Sequence, residues 1–414
     1  MSLPVTRDAC LALDASDPLR PFRDRFLLPA GVIYLDGNSL GPLPRDTPGR
    51  VARLVEQEWG EGLIRSWNSA GWIDAPARIG DKIARLIGAS PGEVLVADST
   101  SVNLFKLLAG ALAARPGRRT ILSVVDNFPT DLYIADGLGR LLDGRARLRL
   151  VDPNAVEGAI DADTAVVMLT EVDYRTGRRF DMKAITAAAH AAGALALWDL
   201  AHSAGALPVD LAGSEADLAG GCGYKYLNGG PGAPAFLFVA RRLQAAWRQP
   251  LTGWLGHDRP FDFAVDYRGA AGIRQNLVGT PPMLSLAALE AGIDLMLEAD
   301  ITAIRAKSMA LGDLFIRLVE QELPAAGLAL AAPRDAATRG SQVSLRHPEG
   351  HAIVQALIDR GVIGDFRAPD IARFGFGPLY TSYAAIWDAV ATLKAVMAEA
   401  AWREERFRRR AAVT

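Results

Sequence analysis

One lysine of this sequence stands where a reactive amine is expected. Lys225 lies between two tyrosines in a stretch rich in glycine, Gly220 to Gly232. Glycine is disfavoured inside helices and strands, but it allows sharp turns and lets a bound group approach the backbone closely. We therefore interpret Lys225 as an amine held against a ligand rather than as a solvated surface charge.

An aspartate upstream of this lysine indicates which ligand. Asp199 follows the apolar run Ala194 to Trp198, 225 − 199 = 26 residues before the lysine, and His202 comes three residues later. The C-terminal end of a strand is where open α/β sheets bind their ligands. In enzymes that use pyridoxal 5′-phosphate (PLP), a lysine joins the cofactor aldehyde and an aspartate keeps the pyridine nitrogen protonated. The pattern favours such a site over an aspartate and a lysine with no shared task.

The elements around these residues predict an α/β sheet. From about residue 76 to residue 240, apolar strand-like runs alternate with helical patterns such as Ser101 to Ala114 and Met182 to Ala192. This alternation predicts a mostly parallel sheet covered by helices on both faces. The predicted strands are Glu93 to Ala97, Thr120 to Val124, Ala146 to Val151, Ala165 to Leu169, Ala194 to Trp198, Ala216 to Ala219 and Ala235 to Val239.

Polar residues follow several of these strands. Thr100 and Ser101 stand at the start of a predicted helix, where hydroxyls and free backbone N–H groups bind phosphate. Plain N-capping is the alternative for them. Phe128 and Asp131 follow the next strand, and we expect the ring to stack on a planar cofactor while the carboxylate orients a neighbour. A hydrophobic staple and an N-cap would explain this second pair without function. Thr170 begins a further polar loop at a strand end.

Composition narrows the class of protein. A chain of 414 residues exceeds what one hydrophobic core normally serves, so we expect two domains. The net charge of −2 argues against a nucleic-acid or membrane surface, and no apolar run has membrane length. Cys10 and Cys222 are too few for a disulfide framework, and the five histidines show no metal spacing. We therefore expect a cytoplasmic protein with no metal, nucleic-acid or membrane partner.

Two features outside the predicted sheet suggest substrate contacts. Trp67 and Trp72 lie in a loop-like segment, where an indole suits a flat aromatic group, although packing against a partner subunit explains them as well. Arg373 stands in an otherwise apolar strand, so its charge must be paired or face a cleft. Its planar fork matches a carboxylate. A structural salt bridge is the alternative.

Seven motifs resemble the kynureninase family over nearly the whole chain: YLDGNSLGPLP, GLIRSWNSAGW, NFPTDLY, WDLAHSAGALPVDL, YKYLNGGPGAPAF, GWLGH and RFGFGPLYTSY. The resemblance implies an aspartate-aminotransferase-like PLP fold, with a mainly parallel seven-stranded sheet in the large domain and a smaller C-terminal α+β domain. It implies an N-terminal arm over 1–46, a PLP-binding domain over 47–289 and a small domain over 290–414. The implied activity is hydrolysis of L-kynurenine to anthranilate and L-alanine in tryptophan catabolism.

The resemblance also implies roles for single residues. Lys225, Tyr224 and Asp199 would be catalytic, and the substrate would meet Arg373 through its α-carboxylate and also contact Ser39 and Trp67. Trp254 and Thr280 would reach the phosphate of the neighbouring subunit, which implies a homodimer with composite sites; a packing tryptophan and a helix-start threonine are the alternatives there. The implied cofactor contacts are Thr100, Ser101, Phe128, Asp131, Thr170, Asp199, His202, Tyr224, Lys225, Trp254 and Thr280.

Three other functions are weighed against this one. A cysteine desulfurase of the same fold needs a nucleophilic cysteine in the C-terminal half, and no cysteine follows Cys222. An aminotransferase would release pyruvate instead of alanine. A PLP-binding regulator would need a fused DNA-binding domain or a basic arm, and neither is visible. 3-Hydroxykynurenine is kept as an alternative, poorer substrate, because Trp67 and Trp72 favour the unsubstituted ring.

Overall fold

The computed structural model describes residues 5–410. The first four residues of the predicted arm and the last four of the predicted C-terminal domain lie outside them. Within the described residues the backbone forms two compact units, each with its own core. The larger unit contains 46–173 and 180–297, and the smaller contains the chain up to 45, 174–179 and the chain from 298 onward.

The strands, in chain order, are β1 (Phe26–Leu27), β2 (Ile33–Tyr34), β3 (Leu43–Pro44), β4 (Val94–Val96), β5 (Thr120–Val124), β6 (Arg147–Val151), β7 (Thr164–Thr170), β8 (Leu195–Asp199), β9 (Leu218–Gly221), β10 (Phe236–Val239), β11 (Ala329–Leu330), β12 (Gln342–Arg346), β13 (Val362–Ile363), β14 (Asp365–Arg367) and β15 (Ile371–Gly375). The α-helices are α1 (Arg7–Ala15), α2 (Thr47–Arg53), α3 (Ser66–Ser69), α4 (Ala75–Leu86), α5 (Thr100–Ala114), α6 (Pro129–Leu141), α7 (Val156–Ala159), α8 (Met182–Ala191), α9 (Arg241–Gln244), α10 (Met283–Glu298), α11 (Ile301–Glu322), α12 (Gly350–Asp359), α13 (Tyr383–Ala398) and α14 (Glu405–Arg408). Short 3₁₀ turns connect several of them.

A seven-stranded sheet organises the larger unit. Its strand order is β4-β10-β9-β8-β7-β5-β6, and β10 runs antiparallel to both of its neighbours while the other pairs are parallel. The central strands are buried along their whole length because helices cover both faces of such a sheet. The prediction of a mainly parallel α/β sheet of seven strands is confirmed, and each predicted strand overlaps an observed one.

The helices begin where the sequence places suitable caps. The Ser99 hydroxyl accepts a hydrogen bond from the Val102 amide at the start of α5, and the Asp181 carboxylate accepts one from the Ala184 amide at the start of α8. The helical sequence pattern from Pro48 to about Gly60 forms two kinds of helix. Helix α2 ends at Arg53, and a π-helical segment (Leu54–Glu61) follows it.

The smaller unit is α+β. Its sheet has the order β11-β12-β15-β14 and is antiparallel throughout, while β13 pairs in parallel with β2. Helices α11, α12 and α13 pack on it through a core that includes Leu311, Phe315, Ile353, Phe374 and Val390. After Ser341 the chain forms strand β12, helix α12 and the strands β13, β14 and β15. Within residues 5–410 we find no helix that is both long and apolar enough to span a bilayer.

Candidate active site

The sheet register places three strand ends of the larger unit at one level. Thr170 at the end of β7 pairs with Asp199 at the end of β8, and Asp199 pairs with Gly220 on β9. Since these strands are parallel, the loops that follow them leave the same edge of the sheet. That register brings together residues that are 21 or more positions apart in the chain.

Lys225 lies in the loop after β9, among the residues that the sequence selected. Its Nζ is 2.9 Å from Nε2 of His202. Two aromatic rings are about equally distant from Nζ, with centroids at 6.0 Å for Phe128 and 5.9 Å for Tyr224. The backbone amide of Phe128 donates to Oδ1 of Asn127 at 2.8 Å, which fixes the backbone at this residue. Burial raises the pKa of the Tyr224 phenol, so this hydroxyl keeps its proton at neutral pH.

Two buried carboxyls lie beside this lysine. Asp199 is 3% exposed and Asp131 is 1% exposed. Oδ1 of Asp199 accepts from the Ala201 amide at 2.8 Å, whereas Oδ2 of Asp131 has no hydrogen-bond partner among the described residues. Burial raises the pKa of Asp131 well above its usual range and Asp199 raises it further, while Lys225 lowers it. Burial also raises the pKa of Asp199, and Lys225 again opposes the shift.

These two acids fit a cationic ring nitrogen. One ammonium, that of Lys225, faces two carboxyls that are almost completely removed from water, and a buried charge needs a partner. A protonated pyridine would supply a second positive charge for this pair of acids. The aromatic rings of Phe128 and Tyr224 suit a flat heterocycle. The residues present therefore fit PLP.

The start of helix α5 offers a place for the phosphate of that cofactor. Thr100 and Ser101 form its first turn, directly after the Ser99 cap, so unpaired backbone N–H groups and two hydroxyls are presented together. Lys106, one to two turns further along, is completely buried and donates to the backbone oxygen of Asn276 at 2.7 Å, besides its ion pair with Asp98. The helix start is thereby held by an ion pair whose lysine is buried and whose aspartate is partly exposed.

The glycines around Lys225 permit close backbone packing. A Cβ added to Gly223 would lie 2.5 Å from the carbonyl oxygen of Pro234 and 2.9 Å from Cδ1 of Leu289. No side chain fits at this position, so the loop that carries the lysine is held directly against its neighbours. Cys222, in the same loop, is buried, and burial raises the pKa of its thiol.

The smaller unit holds a cluster of ionic side chains around Arg373, which is 1% exposed. Asp365 pairs opposite Arg373 on β14 and β15, accepting from its Nε at 2.7 Å and also from its Nη2. Nη1 of Arg373 donates to the carbonyl oxygen of Tyr174 at 2.6 Å. Ser39 lies in the same cluster, 2.8 Å from Nη2 of Arg373. The structure thus brings Ser39 and Arg373 together. It also shows a salt bridge between Arg373 and Asp365, which is the alternative that the sequence analysis gives for Arg373.

The remaining predicted site residues lie elsewhere in the larger unit. The rings of Trp67 and Trp72 meet edge to face at 5.9 Å, and Nε1 of Trp72 donates to Glu58. Trp254 is 40% exposed and contacts Phe261, and Thr280 is also exposed. The segments that carry Trp254 and Thr280 touch, because a Cβ on Gly253 would lie 2.0 Å from the carbonyl oxygen of Val278.

Three members of the Arg373 cluster are not among the site residues predicted from the sequence. Asp365 and Arg367 belong to β14, and Asp36 forms an isolated bridge with Gly375 at the end of β15. One signal was available for Asp365: it precedes Arg373 by eight residues in two short strand-like segments, the separation of facing positions in a hairpin. The place of Asp36 depends on a contact more than 300 residues away and had no local signal.

Comparison with solved structures supports the fold class. The chain superimposes on an apo cysteine desulfurase from Thermococcus onnurineus NA1 with a TM-score of 0.77 and 18% identity, covering 92% of this chain and 98% of that one. It superimposes on a variant of C-DES with glycine covalently linked to its PLP cofactor with a TM-score of 0.78 and 19% identity, covering 90% of this chain and 98% of that one. The predicted aminotransferase-like fold is confirmed.

Sequence comparison identifies the family. Residues 304–393 match the family model described as the kynureninase C-terminal domain. The chain is 55% identical over 415 residues to a kynureninase of Pseudomonas fluorescens, and 54% identical over 414 residues to one of Burkholderia pseudomallei (strain 1106a). Each alignment covers 99% of this chain and 100% of the relative. With its fold, its buried acid pair and its loop lysine in agreement, the chain belongs to the kynureninase family.

Proposed function

We propose that this protein is a PLP-dependent hydrolase that cleaves the Cβ–Cγ bond of L-kynurenine with water, giving anthranilate and L-alanine. The observation that carries the proposal is the group around Lys225: one amine, two almost inaccessible carboxyls and two aromatic rings at the C-terminal edge of a parallel sheet. Membership of the kynureninase family selects the reaction from those that such a site supports.

The residues of the larger unit would hold the cofactor as follows. Lys225 would join its aldehyde, Asp199 would face its pyridine nitrogen, and Phe128 would pack on its ring. The helix start at Thr100 and Ser101 would receive its phosphate, and the Tyr224 hydroxyl would donate a hydrogen bond to that phosphate. Asp131, His202 and Thr170 border the ring. When bound, PLP supplies an aldehyde for covalent attachment and a conjugated ring that accepts electrons from the substrate.

Two residues handle charge and protons during the reaction. Asp199 stays close to the pyridine nitrogen and favours its protonated form by charge pairing. The Nζ of Lys225, free once the substrate is bound, would take the proton from the substrate Cα, with Nε2 of His202 as its hydrogen-bond partner 2.9 Å away. Tyr224 keeps its phenolic proton at neutral pH, so it is able to act as a proton donor in later steps.

Arg373 is proposed to bind the α-carboxylate of the substrate, with Ser39 beside it. The guanidinium is buried, so an anion that reaches it would be paired in a setting with little screening by water. Trp67 is proposed to contact the aminophenyl ring, and its edge-to-face contact with Trp72 fixes the indole plane. We expect L-kynurenine to be preferred over 3-hydroxykynurenine, whose extra hydroxyl would have to be accommodated beside these indoles.

We also propose that the active form is a homodimer with composite sites, in the cytoplasm. An exposed apolar segment supports the dimer: Phe263 is 76% exposed and Val265 fully exposed, in the loop that also carries Trp254. Trp254 and Thr280, which lie on touching segments, would contact the phosphate bound by the partner subunit. The two cysteines are free and buried, as suits a reducing compartment.

A desulfurase activity is disfavoured although solved desulfurases share the fold. That chemistry needs an accessible cysteine thiolate, and the last cysteine of this chain, Cys222, is buried with its pKa raised.

The direct test is to add L-kynurenine to the purified holoenzyme and to follow anthranilate by its fluorescence while alanine and pyruvate are quantified. The proposal expects anthranilate and alanine in equal amounts. Pyruvate in place of alanine, with the amino group left on the cofactor, would identify transamination, and an unchanged substrate would reject the proposal.

A further inference from the structure

The two acids of the ionic cluster in the smaller unit, Asp365 and Asp36, differ in their contacts with Arg373. Asp365 occupies one side of the Arg373 guanidinium, taking the Nε–H and one N–H of Nη2. The second N–H of Nη2 goes to Ser39 and one N–H of Nη1 to the Tyr174 carbonyl. A guanidinium has five N–H groups, so one remains on Nη1 for a ligand. Asp365 therefore fixes the direction in which Arg373 presents its free donor.

Ser39 is fully used within this cluster. Its hydroxyl donates to Oδ2 of Asp365 at 2.6 Å and accepts from Nη2 of Arg373 at 2.8 Å and from Nη2 of Arg367 at 3.2 Å. Arg367 also forms an ion pair with Asp365 at 2.7 Å and is 32% exposed, so it is the second cation that a ligand can reach. With one donated and two accepted hydrogen bonds, the Ser39 hydroxyl connects both guanidinium groups to the Asp365 carboxylate.

Asp36 is the second acid of the cluster, and its side chain interacts with those of Ser39 and Asp365. It lies beside Asp365 and Ser39, and its Oδ1 is shielded from solvent without a hydrogen-bond partner among the described residues. If both acids were ionised, two arginines and two carboxylates would cancel and the cluster would have no net charge. With a proton on Asp36, the cluster keeps one positive charge.

We propose that Asp36 holds a proton beside Asp365 and so leaves the cluster one net positive charge for the α-carboxylate of the substrate, while Asp365 acts as the positioning residue of Arg373. This inference rests on the proposed function, because it takes the carboxylate of L-kynurenine as the ligand. It adds to that function a reason why substrate capture should depend on pH.

The groups that face Asp36 set the direction of this dependence. They are Asp365 and Arg367 from β14, Arg373 from β15, Tyr34 from β2 and Ser39 from its own turn, and the Tyr174 phenol faces Arg367. Burial and Asp365 raise the pKa of Asp36 to about 7, against the lowering effect of Arg373. Although burial raises it, the pKa of Asp365 is lowered overall by Arg373, Arg367 and Ser39. The shared proton therefore belongs to Asp36 and is lost as the pH rises through neutrality.

The test uses the holoenzyme and 4-(2-aminophenyl)-4-oxobutanoate, which has the carboxylate and the ring of L-kynurenine but no α-amine to react with the cofactor. Calorimetric titration should show binding about tenfold weaker at about pH 8 than at about pH 6. Near pH 7, binding should take up a fraction of a proton, measured from buffers of different ionisation enthalpy. Binding independent of pH without proton uptake, or no binding at either pH, would overturn the proposal.

Two variants separate the two tasks. Asp36→Asn should bind the analogue at about pH 8 as tightly as the parent does at about pH 6, with no proton uptake; an unchanged pH slope would contradict the role of Asp36. Asp365→Asn raises the net charge, which by itself would strengthen anion binding, so weaker binding and a KM raised more than kcat would identify positioning. Tighter binding in this variant would overturn the positioning role.

Controls keep these outcomes interpretable. Asp365→Glu restores the carboxylate and should recover part of the affinity, which a variant that merely misfolds would not do. Asp388→Asn removes an exposed carboxylate of the same unit that pairs with Arg7, and it should leave affinity and pH slope unchanged. Turnover of L-kynurenine by the unaltered enzyme decides the proposed function separately, since a pH-independent affinity would end this inference and leave that function standing.

Discussion

The Nζ of Lys225 lies 2.9 Å from Nε2 of His202, across the loops that follow two neighbouring parallel strands. The contact holds the lysine toward the strand-end Asp199 and between the rings of Phe128 and Tyr224. This position supports the proposal that Lys225, rather than any of the exposed lysines, is the amine that joins a bound aldehyde.

Replacing this amine should abolish covalent attachment of the cofactor. Lys225→Ala should lose turnover by at least about three orders of magnitude, because both the attachment and the proton transfer at Cα depend on Nζ. Borohydride treatment followed by mass spectrometry should leave the cofactor attached to the parent chain and not to the variant. Lys183→Ala, at an exposed position of α8, is the control and should retain both properties. A covalent adduct in Lys225→Ala would contradict the assignment.

The buried acid Asp131 should make the cofactor-free protein less stable as the pH rises. Its pKa is raised in the folded state, mainly by burial and then by Asp199, so the folded state holds a proton that the unfolded state releases above about pH 4. Stability is therefore lost from about pH 4 upward, until the raised folded pKa is passed. Asp131→Asn should remove this loss and raise the apoprotein melting temperature at about pH 8 by several degrees more than at about pH 5.

The exposed Asp136 on the same helix provides the control for this comparison. Asp136 pairs with Arg140 on the surface of α6, and Asp136→Asn should shift the melting temperature little at either pH. Equal shifts at the two pH values in Asp131→Asn would show that its carboxyl is ionised in the folded protein.

Replacing the guanidinium group of Arg373 should weaken substrate binding more than it slows the chemical step. Arg373→Lys keeps a charge but loses the two-point contact with Asp365 and the fixed donor direction, so we expect KM to rise roughly 10- to 100-fold and kcat to fall less. Steady-state kinetics with L-kynurenine measure both constants. Arg346→Lys on the neighbouring strand β12, exposed and paired with Asp370, should leave both unchanged. Wild-type kinetics in Arg373→Lys would reject the carboxylate role.

The packing around the lysine loop should not tolerate a side chain at Gly223. Gly223→Ala places a methyl group 2.5 Å from a backbone oxygen, which cannot move independently, and should cost about 1–3 kcal/mol of unfolding free energy along with cofactor affinity. Denaturant melts and cofactor titration measure the two effects. Gly158→Ala in α7, where a Cβ meets nothing within 4 Å, should be neutral or slightly stabilising. If the two variants were equally stable, the loop would not be packed as described.

The exposed loop with Phe263 and Val265 should mediate dimer formation. Val265→Asp places a charge on a fully exposed apolar position, which in a buried interface would remain unpaired, so we expect the dimer to dissociate at micromolar concentration. Analytical ultracentrifugation gives the mass, and activity should fall with it because Trp254 and Thr280 are proposed to contact the phosphate bound by the partner subunit. Leu13→Asp, at an exposed leucine of α1, should stay dimeric. A parent protein that sediments as a monomer would reject both the dimer and the composite site.

Much of the fold follows from local patterns in the sequence. Six of the seven strands of the large sheet are short, mainly apolar runs in which every residue is buried, so burial alone selects these segments. The edge strand β6 carries Arg147 and Arg149 and is partly exposed. The residues around Lys225 could be selected for a related reason. In a parallel sheet every strand end that faces the loop edge contributes to one place, so Thr170, Asp199 and the loop after β9 had to meet once the strand order was right.

The sequence by itself therefore determined the α/β architecture, the lysine with its aspartate and the family to which they point. Only the tertiary structure decided how Arg373 is held. Asp365 faces it through a two-strand register, while Ser39 and Asp36 reach it from the other end of the chain. Such contacts depend on long-range packing that no local pattern encodes, and the protonation of Asp36 depends in turn on its burial beside a second acid. The position of a charged group can be predicted from neighbours in sequence, but its charge is set by neighbours in space.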